Sequence, residues 1–127
     1  MEKKILYSAI VLDDSSRSKI LSAVAIPDGW KFIGHHFTIK LGELNDEEKK
    51  SYRIGESVTL ICTKAGRTNK ALALKVDNQT RFMDGTPHIT VAVNVTAGGK
   101  PKDSNNIALF YEPVDKLILT GTIQEIL

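Results

Sequence analysis

Histidine is the side chain best suited to taking and giving a proton near neutral pH, because its unperturbed pKa of roughly 6.5 leaves both forms populated. The chain holds three, His35, His36 and His88. Two of them are followed two positions later by threonine, in His36-Phe37-Thr38 and His88-Ile89-Thr90. Side chains alternate between faces along a strand. If Gly34 to Leu41 is a strand, His36, Thr38 and Lys40 share one face, and Phe37, Ile39 and Leu41 share the other. If Ile89 to Val93 is a strand within Thr86 to Asn94, His88, Thr90, Ala92 and Asn94 share one face. Ile89, Val91 and Val93 then share the opposite face, which is apolar and β-branched as a core-facing strand should be. A histidine and a threonine thus project side by side from a rigid element, twice in one chain. On a regular strand His35 points away from His36, so a structural place is expected for it.

The elements that must position these residues come in chain order. Lys4 to Val11 reads as a first strand. Asp13-Asp14-Ser15-Ser16 is a helix start, because short polar side chains accept from the free N–H groups of a first turn. Ile20, Leu21 and Val24 then form an apolar stripe, and Pro27-Asp28-Gly29 closes the helix. Trp30 and Phe32 lead into the first motif strand. Asn45 to Lys50 reads as a short turn capped by Asn45 or Asp46, or as a solvated connection. Glu56 to Lys64 and Lys70 to Val76, separated by Ala65 to Asn69, read as an antiparallel hairpin. Asn78 to Pro87 is a loop. After the second motif strand comes a long loop, Ala97 to Asn106. Asp103 or Ser104 could cap a short helix over Ile107 to Phe110, and Leu117 to Leu127 closes the chain as a strand bent at Gly121. The sum is an α+β pattern with mostly antiparallel pairing and one or two helices.

Composition narrows the classes. The 127 residues fit one domain, 1–127, with 42% apolar and 25% charged residues, ordinary values for a globular chain. Cys62 is the only cysteine, so no intrachain disulfide can form and a reducing, cytoplasmic setting is expected. Cys62 itself reads as a small buried apolar residue. No apolar run approaches the ~20 residues of a membrane span. Net charge is +2, compatible with an anionic ligand and too low for tracking long duplex nucleic acid. There is no phosphate-binding glycine loop, no dinucleotide fingerprint and no Cys-x-x-Cys pair.

Paired His-x-Thr motifs on strands resemble the 2H phosphoesterase superfamily, the element order also looks like the family's, and the wording around the motifs resembles that of small phage and bacterial members. His88-Ile89-Thr90-Val91-Ala92 fits the family motif well. The first copy departs from it, with Lys40 where an apolar residue is usual. The resemblance implies a two-lobed, pseudo-symmetric fold in which each lobe supplies one motif strand to a shared cleft. It implies a metal-independent phosphodiesterase without cofactor, with His36, Thr38, His88 and Thr90 catalytic. One histidine would be the base and the other the acid on opposite sides of a phosphate, with the threonine hydroxyls donating to its non-bridging oxygens. The implied substrate is a nucleotide or RNA end: a 2′,3′-cyclic phosphate, a 2′-5′ or 3′-5′ linkage, or a cyclic oligonucleotide. A monomer is expected.

Around that core, Lys40 is a candidate phosphate contact or a solvated lysine. Lys100 and Lys102 could close over an anion or stay solvated. Tyr7, Trp30, Phe82 and Tyr111 could stack on a base or serve in the core. Two rivals use the same residues. One is a module of this fold that binds nucleotide or RNA ends without cleaving them. The other is a metal hydrolase on His35, His36 and His88, for which no carboxylate has ligand spacing.

Overall fold

Alternating apolar residues bury only one side of a strand, and here that side closes on itself. The computed structural model describes residues 5–81, 87–100, 103–104 and 112–126. Its strands are β1 (Tyr7–Leu12), β2 (Lys31–Phe32), β3 (His36–Leu41), β4 (Ser57–Arg67), β5 (Ala71–Lys75), β6 (His88–Val93) and β7 (Glu112–Ile126), with one helix, α1 (Asp14–Ala23), among the described residues. Six strands form an antiparallel ring in the order β6-β3-β1-β7-β4-β5 and back to β6, while the short β2 pairs with β6 beyond the end of β3. The architecture is therefore α+β, a closed six-stranded barrel. Ile10, Phe37, Ile39, Leu60, Leu74 and Ile89 are among the residues that fill its single main core. Closure leaves no long unpaired edge among the described strands.

The ends of the elements have local causes. Asp13 caps α1, its Oδ1 accepting from Ser16 N at 2.8 Å. The buried residues of the helix are Ser16 and Ile20, followed by the buried C-cap Val24, whereas Leu21 is 52% exposed. The expected Ile20-Leu21-Val24 stripe is corrected because β7 gives Ser16 partners: its Oγ donates to Thr120 O at 3.1 Å and accepts from Thr120 N at 2.7 Å. The charged segment after β3 is an ordered 3-10 turn, Glu48–Lys50. Asn45, not Asp46, holds it, with Oδ1 accepting from Glu48 N at 2.8 Å. The closing strand runs unbroken through Gly121, where an added Cβ would lie 2.6 Å from Val11 O. Only glycine lets β7 approach β1 that closely.

One alternation differs from expectation. Pairing of β5 with β6 shifts between Leu72 and Ala73, so Ala73 faces Thr90 while Leu72 faces Ala92. The extra residue is Val91, and such a bulge reverses the facing of the residues after it. Val91 and Ala92 both enter the core, and Val93 joins Ala71 and Ala73 in a small cluster on the outer face. His88 and Thr90, which precede the bulge, keep the outward placement read from sequence.

Candidate active site

The two motif strands are neighbours. β3 and β6 pair antiparallel through Phe37 and Ile89, the central residue of each motif. Extending that register by one residue each way carries Thr38 across from His88 and His36 across from Thr90. Phe37 and Ile89 point into the core and are fully buried. The four polar side chains therefore stand together on the outer wall of the barrel, all half-buried. A local two-fold axis through the Phe37–Ile89 pair exchanges one motif with the other.

The corner before β3 is built to launch His36. Gly34 has φ +45°, and a Cβ there would lie 2.3 Å from the Phe32 ring. Arg17 of α1 ties this corner down, donating from Nε to Gly34 O and from Nη2 to Ile33 O, each at 3.1 Å, with its guanidinium 5.4 Å from the Phe32 ring centroid. The main chain runs out of step here. Lys31 and Phe32 pair with Val93 and Ala92, whereas Phe37 pairs with Ile89, so two extra residues bulge from this edge. His35 sits in the bulge. It does not point away from His36, as a regular strand would require: their Nδ1 atoms are 2.9 Å apart and their rings meet edge to face at 82°.

His36 is enclosed on its other side by Tyr7, whose ring stacks on it at 5.0 Å. Burial pushes the His36 pKa down to about 4, with the nearby positive charges of His35 and His88 pushing the same way. The imidazole is thus neutral at pH 7. Thr90 Oγ1 and Ser104 Oγ are 2.9 Å apart, and Ser104 is fully buried.

Two lysines flank the four side chains and differ in their commitments. Lys40 donates to Glu48 Oε1 at 2.7 Å, which holds the Glu48 carboxyl below its usual range. Lys75 lies directly across from His88 on β5 and forms no ion pair among the described residues. Lys100 is exposed in the loop after β6, its backbone N donating to Asp103 Oδ2 at 2.8 Å, and no hydrogen bond or ion pair joins it to the motif residues. Trp30 packs half-buried against the core. Lys102, Phe82, Tyr111 and the expected helix over 107–110 lie outside the described residues. Cys62 is buried in β4, and burial pushes its thiol up to about 12, so it is no nucleophile. Among the described residues, no group of three or more His, Cys, Asp or Glu side chains is placed to hold a metal ion. Nor is any described helix long and apolar enough to cross a membrane.

Three features of this neighbourhood escape a reading of the sequence: Lys75, the Ser104 hydroxyl and the contact of His35. For Lys75 a weak signal exists, since Ala71, Ala73 and Lys75 alternate with Leu72 and Leu74 and mark an outer face with one cation. No protein-family model, curated protein or solved structure matches the chain.

Proposed function

We propose that the chain is a metal-independent phosphodiesterase of the 2H phosphoesterase type, acting on 2′,3′-cyclic phosphate RNA ends or on cyclic or 2′-5′ oligonucleotides. In this reading β3 and β6, with the strands beside them, are the family's two pseudo-symmetric halves. The observation that carries it is the antiparallel pairing of the two motifs at Phe37 and Ile89, which puts both histidines and both threonines on one accessible face. Chance placement of two His-x-Thr motifs would not favour adjacent strands with a common dyad.

The chemistry derives from that dyad. A phosphate over the Phe37–Ile89 pair has an imidazole at each end of one diagonal, as in-line displacement needs, and a threonine at each end of the other. One histidine removes a proton from the attacking water, and the other protonates the oxygen that leaves. Thr38 and Thr90 donate to the non-bridging oxygens as charge builds there. Lys75 adds a positive charge that no described carboxylate cancels. Tyr7, stacked on His36, holds that imidazole in place. The protein is read as a cytoplasmic monomer whose partner is its nucleotide substrate.

A product screen in excess chelator tests the proposal. The substrates are 2′,3′-cyclic nucleotides, RNA ending in a cyclic phosphate, 2′-5′ oligoadenylate, and cyclic di- and trinucleotides. Cleavage of one of them, absent in His88→Ala, is the expected result. Tight retention without cleavage would make the chain a binding module, and cleavage abolished by chelator would make it a metal enzyme.

A further inference from the structure

The two motifs match in residue type, yet His36 alone has the neighbouring His35 ring against it. Two Nδ1 atoms at 2.9 Å must share a single proton, because two N–H groups cannot face each other at that distance. The geometry points to His35 as a positioning residue: it accepts a hydrogen bond from His36 Nδ1–H, leaves His36 Nε2 bare, and thereby makes His36 the base and His88 the acid. This role assignment rests on the phosphodiesterase reading. The orientation of His36 does not.

Exposure sets the direction of the shared bond. His35 is exposed, so it is free to adopt the tautomer that an isolated imidazole prefers, with its proton on Nε2 facing water. Its Nδ1 is then an acceptor, and His36 must be the donor. His36 is enclosed by Tyr7 and the barrel wall, and burial disfavours its charged form. A neutral imidazole with Nδ1–H has its lone pair on Nε2, which is what a base needs. Once Nε2 takes a proton, the bond to His35 persists and supports the imidazolium. The carboxylate of a Ser-His-Asp triad does the same for its histidine, with a full charge where His35 offers a neutral lone pair.

Other charged groups near His36 do not reverse this. On β6 stands His88, which opposes a positive charge on His36, and on β5 Lys75 stands across from His88. On β1 the neighbour is Tyr7, and farther along β3 Lys40 is paired with Glu48. Arg17 of α1 is turned to the carbonyls of Ile33 and Gly34. Among the described residues no carboxylate bonds to His36, so His35 supplies the acceptor. In the balanced step, water gives a proton to His36 Nε2 while its oxygen bonds to phosphorus. The bond from phosphorus to the leaving oxygen breaks, and His88 gives that oxygen a proton. Solvent returns both histidines to their starting forms.

Two readouts test the inference. In ¹⁵N-imidazole NMR spectra of the free protein, His36 should carry its proton on Nδ1 at pH 7 and titrate near 4. In His35→Ala, with that acceptor gone, a substantial share of His36 should carry its proton on Nε2 instead. A proton on Nε2 in the wild-type protein, or a tautomer unchanged in His35→Ala, overturns the inference. With 2′,3′-cyclic AMP as substrate, the acid limb of kcat/KM should follow the His36 titration in each protein. His35→Ala should lower kcat about tenfold, and His35→Gln, whose amide oxygen can accept from Nδ1–H, should recover most of the loss. An acid limb that does not follow the His36 titration, or a His35→Gln no better than His35→Ala, also overturns it. The expected spectra from a protein that cleaves no phosphodiester would refute the phosphodiesterase reading while leaving the His35–His36 orientation standing.

Discussion

The two motif strands carry the same residues in the same order and sit in different surroundings. The β3 side is enclosed: Tyr7 covers His36, His35 bonds it, Arg17 clamps the corner before it, and its lysine is neutralised by Glu48. The β6 side is charged and hydroxyl-rich: Lys75 faces His88 with no ion pair of its own among the described residues, and Ser104 meets Thr90. A two-fold arrangement of side chains thus lies in a one-sided environment. Two identical groups can take opposite roles when their surroundings push their proton affinities apart. In the proposed reading, the motif supplies the chemistry and the neighbours decide which copy does which part.

The sharpest break of this comparison is removal of either histidine. His36→Ala and His88→Ala should each lower turnover by at least ~10², the scale of general acid–base groups, with unchanged circular dichroism. Wild-type rates from both folded variants would sink the site. Gly34→Ala should damage the β3 side alone, since the new Cβ would strike the Phe32 ring at a positive φ. A cost of about 1–3 kcal/mol in urea unfolding is expected for such backbone strain, together with displaced His35 and His36 resonances and an unmoved His88. Next comes the pair of lysines. Lys75→Ala should raise KM about tenfold through loss of a charge-assisted phosphate contact, and Lys40→Ala clearly less, because Lys40 already spends its charge on Glu48. Equal effects would erase the difference between the two sides.

The smallest effect is on stability against pH. Folded His36 releases its proton more readily than unfolded His36, so between pH 6.5 and about 4 the unfolded chain holds more protons. Stability is therefore full above that window and falls as pH drops through it. Urea midpoints at pH 7 and pH 5 should differ, and His36→Asn should reduce the difference. Asp13 and Glu48, whose carboxyls are held below their ordinary values of 3.8 and 4.5 chiefly by hydrogen bonds from Thr120 and Lys40, add their losses as pH falls below those ordinary values. A midpoint change that survives His36→Asn in full would remove this side's claim to a strained proton.

The sequence is legible where structure is local. The alternation of β3, the outward face of His88 and Thr90, the cap at Asp13 and the burial of Cys62 all come from short-range patterns. Features set across strands are not legible. Val91 bulges because β5 and β6 slip by a residue, and no feature of Val91 announces that. His35 meets His36 because the chain gains two residues against β6 at a glycine corner held by a helix. Lys75 joins the site through a pairing between separate strands. Ser104, legible only as a possible helix cap, has its hydroxyl 2.9 Å from that of Thr90.

Barrel closure has a consequence for measurement. Adjacent strands lie about 4.8 Å apart whatever their side chains do, so the spacing of the two histidine Cα atoms is a ruler cut into the backbone. No hinge among the described strands can lengthen it, because β6 is held by β5 on one side and by β2 and β3 on the other. Heating should then leave the reactive geometry intact until the ring opens, and lose both together. If the phosphodiesterase reading holds, residual activity would serve as a thermometer of the fold itself.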